Sequence, residues 1–217
     1  MTPITSLQPH RVPQGAMQLV WPAREHLDSY VAALERGWSP NNLRAEAGRE
    51  ELVQIQGDPD AFLATLVDKD GKGAPVKQPN GSYVPRLPGY RRWMWVPASG
   101  NDSGNDSGKT AESGEFCGSI GLRWQKGNNT LPPYCLGHIG YAVVPWQQGK
   151  GYATQALAQL LLEAPAQGLS YVEITTDPDN LISQRVVLAN GGVLVEKFVT
   201  TAEAGHKTEL RWRIDLG

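Results

Sequence analysis

Cysteine is scarce in this sequence, whose 217 residues contain only Cys117 and Cys135. Two cysteines are too few for the disulfide framework of a small secreted protein and too few for a zinc cluster. Cys135 and His138 have the spacing of a metal-binding pair, but no second pair of ligands lies nearby in the sequence. We therefore expect both thiols to be reduced and no metal to be bound.

Long apolar runs and an excess of positive charge are also missing. No stretch approaches the roughly 20 apolar residues that span a bilayer, and residues 1–14 lack the apolar segment of a signal peptide. We therefore expect a cytoplasmic protein without a membrane partner. The 20 Lys and Arg residues are balanced by 22 Asp and Glu residues, so we expect no nucleic-acid partner.

The chain has the length and composition of one folded domain. It is 40% hydrophobic, and 217 residues suffice for one sizeable core. Residues 1–15 contain Gly and Pro without a periodic pattern, which predicts a flexible N-terminal arm before a single domain at 16–217. Residues 98–115 repeat Asn-Asp-Ser-Gly and contain almost no apolar side chain, which predicts a low-complexity hairpin insertion without a catalytic role.

Hydrophobic periodicity predicts an alternation of strands and helices. Helices are expected after Pro22, after the start signal Asp58-Pro59, and at about 149–163 and 180–190. Strands are expected in seven segments: 17–21, 90–96, 116–124, 137–144, 171–176, 193–199 and 210–216. This order indicates an α/β fold with a mixed, mostly antiparallel sheet of six to seven strands and about four helices.

A turn with the sequence Gln-Gly-Lys-Gly-Tyr-Ala, at residues 148–153, lies between a predicted strand and a predicted helix. Backbone N–H groups at a helix start have no partner within the helix and can bind an anion. Gly149 and Gly151 lack a Cβ and let the backbone approach phosphate oxygens, while Ala153 leaves room for helix packing. Because the turn matches neither a P-loop nor a Gly-x-Gly-x-x-Gly dinucleotide motif, we expect a phosphate ester of another class.

The same turn resembles the Gln/Arg-x-x-Gly-x-Gly/Ala signature of the GNAT acetyltransferases, with Gln148, Gly151 and Ala153 at the defining positions. Downstream, Asn180-x-x-Ser183 and the Gly-Gly end of the following helix resemble a second motif of that family. The order of helices and strands is also similar to the GNAT fold. The Ile-Gly-Tyr sequence at 139–141 most resembles the branch that includes ribosomal-protein and small-molecule N-acetyltransferases.

This resemblance implies acetyl-CoA as cosubstrate and no metal. It implies an N-acetyltransferase that moves an acetyl group to a primary amine of a small molecule, amino acid or antibiotic by direct attack in a ternary complex. A non-catalytic acyl-CoA sensor and a protein N-terminal acetyltransferase are the alternatives, and a homodimer is left open. The residues implied in acetyl-CoA binding are Val143, Val144, Gln148, Gly149, Lys150, Gly151, Tyr152, Ala153, Asn180 and Ser183.

Three residues are candidates for the proton transfers of amide formation. His138 occupies the strand position where related enzymes often carry glutamate, and imidazole titrates near neutral pH. Glu173, on the neighbouring predicted strand, is the second candidate base, and both can orient one water. The family's usual acid is a tyrosine seven residues after the motif asparagine, but Val187 stands there.

Tyr141 is therefore the candidate acid. The alternative is protonation of the thiolate by solvent or by the ammonium product. A packing role is the alternative for both Tyr141 and His138.

Overall fold

A computed structural model describes residues 16–42, 44–78, 80–98, 114–201 and 206–217 of the chain. The predicted N-terminal arm at 1–15 lies outside the described residues, as does the predicted insertion except for Ala98, Gly114 and Glu115. Within the described part, no helix is both long enough and apolar enough to cross a membrane.

The first half of the described chain combines three helices with one antiparallel sheet. Its elements are β1 (Gln18–Val20), α1 (Arg24–Glu35), α2 (Ala47–Gly57), α3 (Pro59–Thr65), β2 (Val67–Asp68), β3 (Val76–Lys77), β4 (Tyr83–Val84), β5 (Gly89–Val96), β6 (Glu115–Arg123) and β7 (Ile139–Val143). The strand order is β1-β5-β6-β7. β2 also pairs with β5, and β3 and β4 form a separate hairpin.

After β7, a strand-helix-strand unit leads into a second sheet of three strands. Its elements are a 3₁₀ helix (Pro145–Gln147), α4 (Tyr152–Leu161), a second 3₁₀ helix (Ala164–Gln167), β8 (Tyr171–Thr176), α5 (Leu181–Ala189), β9 (Val193–Val199) and β10 (Thr208–Asp215). The strand order is β8-β10-β9, and the strand pairings of both sheets are antiparallel.

The α/β class, the mostly antiparallel pairing and the seven longer strands agree with the sequence prediction. Five α-helices are described where about four were expected. The additional helix is α2, which the sequence does not predict because only Ala47, Gly48 and Ile55 of its 11 residues are buried. A helix with so few buried positions has no clear apolar stripe. The three two-residue strands β2, β3 and β4 are too short to leave a periodic pattern.

Two buried clusters attach the helices to the sheets. In the first, Leu157 of α4 and Val187 of α5 pack with Ile174 of β8 and with apolar residues of β6 and β10. In the second, α1, α2 and α3 pack on β5, β6 and β7, and Tyr30 stacks on Trp93 with ring centroids 4.4 Å apart. One face of the second sheet packs against α4 and α5. The other face, which carries Glu173, Arg211 and Arg213, is called the outer face below.

Candidate active site

The chain just before β7 contacts β8 at Gly137 and His138. The His138 backbone N–H donates to the Glu173 carbonyl at 2.7 Å, and the Glu173 N–H donates to the His138 ring Nδ1 at 2.9 Å. In the described residues no ladder joins the two strands, since β7 pairs with β6 and β8 pairs with β10. The strands therefore border a gap that opens from His138 toward the ends at Val143 and Thr176.

The edge of β7 that does not pair with β6 faces this gap. The Val144 N–H donates to a carbonyl of β6 at 3.0 Å, so it belongs to the sheet. Since backbone groups alternate in direction along an antiparallel strand, those of Tyr141 and Val143 point away from β6. The carbonyl of Tyr141 accepts from Asn42 Nδ2 at 3.1 Å, and that of Val143 accepts from Gln148 Nε2 at 3.3 Å. Of the two valines, Val143 thus has its backbone at the open edge.

The turn at 148–153 has the backbone shape of an anion-binding helix start. Gly149 and Gly151 have φ values of 79° and 76°, in the left-handed region that strains other residues. Gly151 is the N-cap of α4, and no side chain accepts a hydrogen bond there. A Cβ placed on Gly149 would meet no atom within 4 Å, so the turn is open on that side. Open N–H groups and the helix dipole together fit a phosphate group.

The side chains of this turn contribute less than its backbone. Lys150 Nζ donates to Gln147 Oε1 at 2.5 Å, and Gln147 Nε2 donates to Glu115 Oε2 at 2.6 Å. Lys150 is therefore engaged with the start of β6. Tyr152 and Ala153 pack against the core around α4, which leaves their backbone N–H groups for an anion.

Asn180 and Ser183 lie at the start of α5, where the chain returns toward β7. Asn180 caps the helix, because its Oδ1 accepts from the Ser183 N–H at 3.0 Å. The Ser183 hydroxyl lies 2.7 Å from the Tyr141 hydroxyl, so a hydrogen bond connects α5 with β7. Burial raises the pKa of Tyr141, and the phenol keeps its proton at neutral pH. Val187 is fully buried in the core and offers no polar group.

His138 is fully buried, and backbone groups occupy both of its ring nitrogens. Nδ1 accepts from the Glu173 N–H, while Nε2 lies 3.0 Å from the Asn129 carbonyl. This bonding assigns the ring proton to Nε2. Burial lowers the pKa of His138, so the ring is neutral at pH 7. With its lone pair engaged, the imidazole fastens β8 to the loop that contains Asn129.

The Glu173 side chain lies on the outer face and is only 13% exposed. Its Oε1 accepts from Arg213 Nη2 at 2.7 Å, while Oε2 lies 3.7 Å from Arg211 Nη1. Within the described part of the chain, Oε2 accepts no hydrogen bond. Oε1 is thus anchored by a hydrogen bond, while Oε2 has an ion-pair contact but no hydrogen bond in the described residues.

Glu209 is a candidate residue that the sequence analysis does not identify. It lies on the outer face of β10, two residues before Arg211. Burial and the neighbouring charge of Asp177 raise the pKa of Glu209. Carboxyl groups with a raised pKa beside a cleft are frequent in functional sites. In the sequence, Glu209, Arg211 and Arg213 alternate with the apolar residues of β10, and this alternation could have identified Glu209 as a residue of the same face.

Cys135 and His138, which have the spacing of a metal-binding pair, are engaged with other groups. Cys135 Sγ lies 3.5 Å from the Gly137 carbonyl, and both ring nitrogens of His138 contact the backbone. Both cysteines are free thiols. Among the described residues, no group of three or more His, Cys, Asp or Glu is arranged to hold a metal ion.

The open edge of β7, the anion-binding turn at 148–153 and the capped start of α5 together define the class of the protein. It is an α/β fold in which an open strand edge lies beside a helix start that fits an anion. Residues 86–193, about half of the chain, match the family described as the acetyltransferase (GNAT) domain. The chain therefore belongs to the GNAT acetyltransferases, a family of acetyl-CoA-dependent enzymes. No curated protein sequence matches it.

Solved structures share this fold over nearly the whole chain. A Vibrio cholerae protein, assigned as a ribosomal-protein-serine acetyltransferase, has a TM-score of 0.52 and 16% identity, with 99% of each chain covered. RimJ from Mycobacterium smegmatis, in complex with CoA-disulfide, has a TM-score of 0.51 and 17% identity, covering 94% of this chain and 84% of RimJ. The microcin C7 self-immunity acetyltransferase MccE, with acetyl-CoA and AMP, has a TM-score of 0.51 and 15% identity, covering 94% and 97%.

Proposed function

We propose that the protein transfers the acetyl group of acetyl-CoA to a primary amine of a small molecule, by direct attack in a ternary complex. The observation that carries this proposal is the open edge of β7, which leads from the Glu173 side of the gap to the phosphate-binding turn. The complexes of MccE with acetyl-CoA and of RimJ with CoA-disulfide support the choice of donor.

The residues around the gap fit acetyl-CoA. Backbone N–H groups at 148–153 would bind the pyrophosphate, and the edge at Val143 would hold the pantetheine arm as an added strand does. Asn180 and Ser183 would flank the arm from α5. When bound, acetyl-CoA supplies an activated thioester carbonyl for the reaction.

Each chemical task has a candidate group in the chain. The Val143 N–H at the open edge polarises the carbonyl, since a donor that is already positioned stabilises developing negative charge. Glu173 accepts the proton of the attacking amine, directly or through water. Tyr141 donates its proton to the departing sulfur. The C–N bond forms as the C–S bond breaks, and the products are an amide and the free thiol of coenzyme A.

Among the two candidate bases, the geometry favours Glu173. The His138 lone pair is held by the Glu173 N–H at 2.9 Å, and breaking that bond would open the buried end of the gap. Glu173 instead has one oxygen without a hydrogen bond in the described residues. His138 is then a positioning residue that fixes the backbone of the base.

The test has a binding arm and a turnover arm. Acetyl-CoA at 100 times its Kd should stabilise the protein by about 2.7 kcal/mol, which is a clear rise in melting temperature. Thiol release measured with a panel of primary amines should require an added amine, and Glu173→Gln should lower kcat about 100-fold or more. A melting temperature that is unchanged by millimolar acetyl-CoA would contradict the proposal. Binding without thiol release for every amine would favour the sensor alternative.

A further inference from the structure

We infer that the acceptor is an amine with a carboxylate beside its amino group, as in an α-amino acid, and that Arg211 binds this carboxylate. This inference rests on the proposed function and concerns the acceptor half of the same site. It starts from a guanidinium group that has two ion-pair contacts but makes no hydrogen bond in the described residues.

Arg211 lies on the outer face, where 30% of its side chain is exposed. Its guanidinium is 3.7 Å from Glu173 Oε2 and 3.5 Å from Glu196 Oε2, and neither contact is a hydrogen bond. In the part of the chain that the structure describes, the buried Nε of Arg211 has no hydrogen-bond partner. A guanidinium carries five N–H donors, and buried donors are normally bonded. The exposed part of the guanidinium, which makes no hydrogen bond in the described residues, can therefore donate to an acceptor from outside the protein.

A comparison with two other arginines shows which feature of Arg211 is distinctive. Arg92 and Arg213 also have a buried Nε without a partner among the described residues. However, Arg92 donates to Glu163 and Arg213 donates to Glu173, each at 2.7 Å. Of these three arginines, only Arg211 makes no hydrogen bond in the described residues, so its N–H donors are available to a ligand although its charge is shared with Glu173 and Glu196.

The surrounding strands hold Arg211 beside the gap. It lies opposite Thr175 of β8, two residues beyond Glu173 and close to where the chain at Gly137 contacts β8. The guanidinium also lies over the Phe198 ring, 4.6 Å from the centroid. Stacking on an aromatic ring keeps the planar group oriented before a ligand arrives. Little ordering is then needed when a carboxylate binds.

The open groups of Glu173 and Arg211 match the two charges of an α-amino acid. Oε2 of Glu173 can accept from the ammonium group, and the guanidinium can donate to the carboxylate in a bidentate pair. This orientation puts the reactive nitrogen next to the proposed base.

The experiment compares amino acids with their amides as acceptors. Phenylalanine and phenylalanine amide, and likewise other pairs, share the side chain and differ in the negative charge; because the amine of the amide is also less basic, rates are compared per neutral amine. The wild-type kcat/KM should be about 10-fold to 100-fold higher for the acid, as expected for a hydrogen-bonded charge pair. Arg211→Gln should raise KM for the acid by a similar factor while kcat stays within a few-fold. The amide should respond less than threefold, and Arg211→Lys should recover part of the loss.

Arg213→Gln is the matched control from the same strand. Because Arg213 anchors Glu173 Oε1, its loss should lower kcat for acid and amide alike and leave the preference for the acid unchanged. The acetyl-CoA-induced rise in melting temperature should persist in both variants. Amides that react as fast as acids, or an acid preference that survives in Arg211→Gln, would overturn the inference alone. No thiol release with any amine would overturn the proposed function and the inference with it.

Discussion

Replacing His138 with alanine tests whether this residue holds the gap together or carries out proton transfer. The substitution removes an acceptor 2.9 Å from the Glu173 N–H and a donor 3.0 Å from the Asn129 carbonyl. The side chain is fully buried, so solvent does not readily replace either bond. Two partly buried backbone groups, the Glu173 N–H and the Asn129 carbonyl, are left without this partner, and a cavity forms where the ring was.

The expected loss of stability is large. Each unsatisfied buried group costs about 1–3 kcal/mol, and the cavity adds roughly 1 kcal/mol or more. The sum of about 3–7 kcal/mol is a substantial part of the roughly 5–15 kcal/mol that stabilises a typical protein. For a chain of this length each kcal/mol lowers the melting temperature by about 2–4 °C. We therefore expect a fall of roughly 6 °C or more.

Urea denaturation followed by circular dichroism measures this loss, and thiol release at low temperature measures the activity of the folded variant. The folded variant should keep kcat within about tenfold, because the proposed base Glu173 is still present. His138→Gln, which can still donate to the Asn129 carbonyl, should recover part of the stability. A loss below about 1 kcal/mol together with a drop of about 100-fold in kcat would refute the structural role and support His138 as the base.

The free energy of unfolding should decrease at acidic pH because of His138. Burial lowers the pKa of His138 in the folded protein, so the unfolded chain takes up a proton more readily. The neutral ring stabilises the fold fully above about pH 6.5, the approximate pKa of histidine in the unfolded chain. This stabilisation is lost as the pH falls toward the lower pKa of His138 in the folded protein. The unfolding free energy of wild type should decrease over that range more than that of His138→Gln.

Three further predictions concern the turn, the acid and the thiols. Gly151→Ala places a side chain at a φ of 76°, so it should cost about 1–2 kcal/mol and raise the Kd for coenzyme A in calorimetry; an unchanged Kd would remove the turn from the site. Tyr141→Phe should lower kcat by about 100-fold with little change in melting temperature, and an unchanged kcat would eliminate Tyr141 as the acid. Burial raises the pKa of Cys117 to about 12, so iodoacetamide at pH 8 should modify Cys135 and leave Cys117 intact by mass spectrometry. Equal modification of both thiols would contradict the buried position of Cys117.

The backbone of the cofactor site could be predicted because local sequence determines it. Gly149 and Gly151 have the positive φ values that glycine favours, and Asn180 caps α5 through the Ser183 N–H only three residues later. Such contacts fall within one turn of chain. Their roles in binding acetyl-CoA stay predictions.

The acceptor half of the site could not be predicted in the same way, because its contacts are distant in sequence. The ring nitrogens of His138 are hydrogen-bonded to the carbonyl of Asn129, nine residues earlier, and to the N–H of Glu173, 35 residues later. The Tyr141 hydroxyl meets Ser183 only because α5 returns to β7. The ion pairs of Glu173 with Arg211 and Arg213 depend on the register of β8 and β10, which periodicity does not specify.

Amine-dependent release of coenzyme A tests the central claim most directly. Purified protein, acetyl-CoA and an amine panel that includes free amino acids are combined, and thiol and product mass are followed together. The account predicts thiol release that requires an amine, matches the amount of acetylated amine and falls strongly in Glu173→Gln. Tight binding of acetyl-CoA without amine-dependent thiol release for any member of the panel would contradict it.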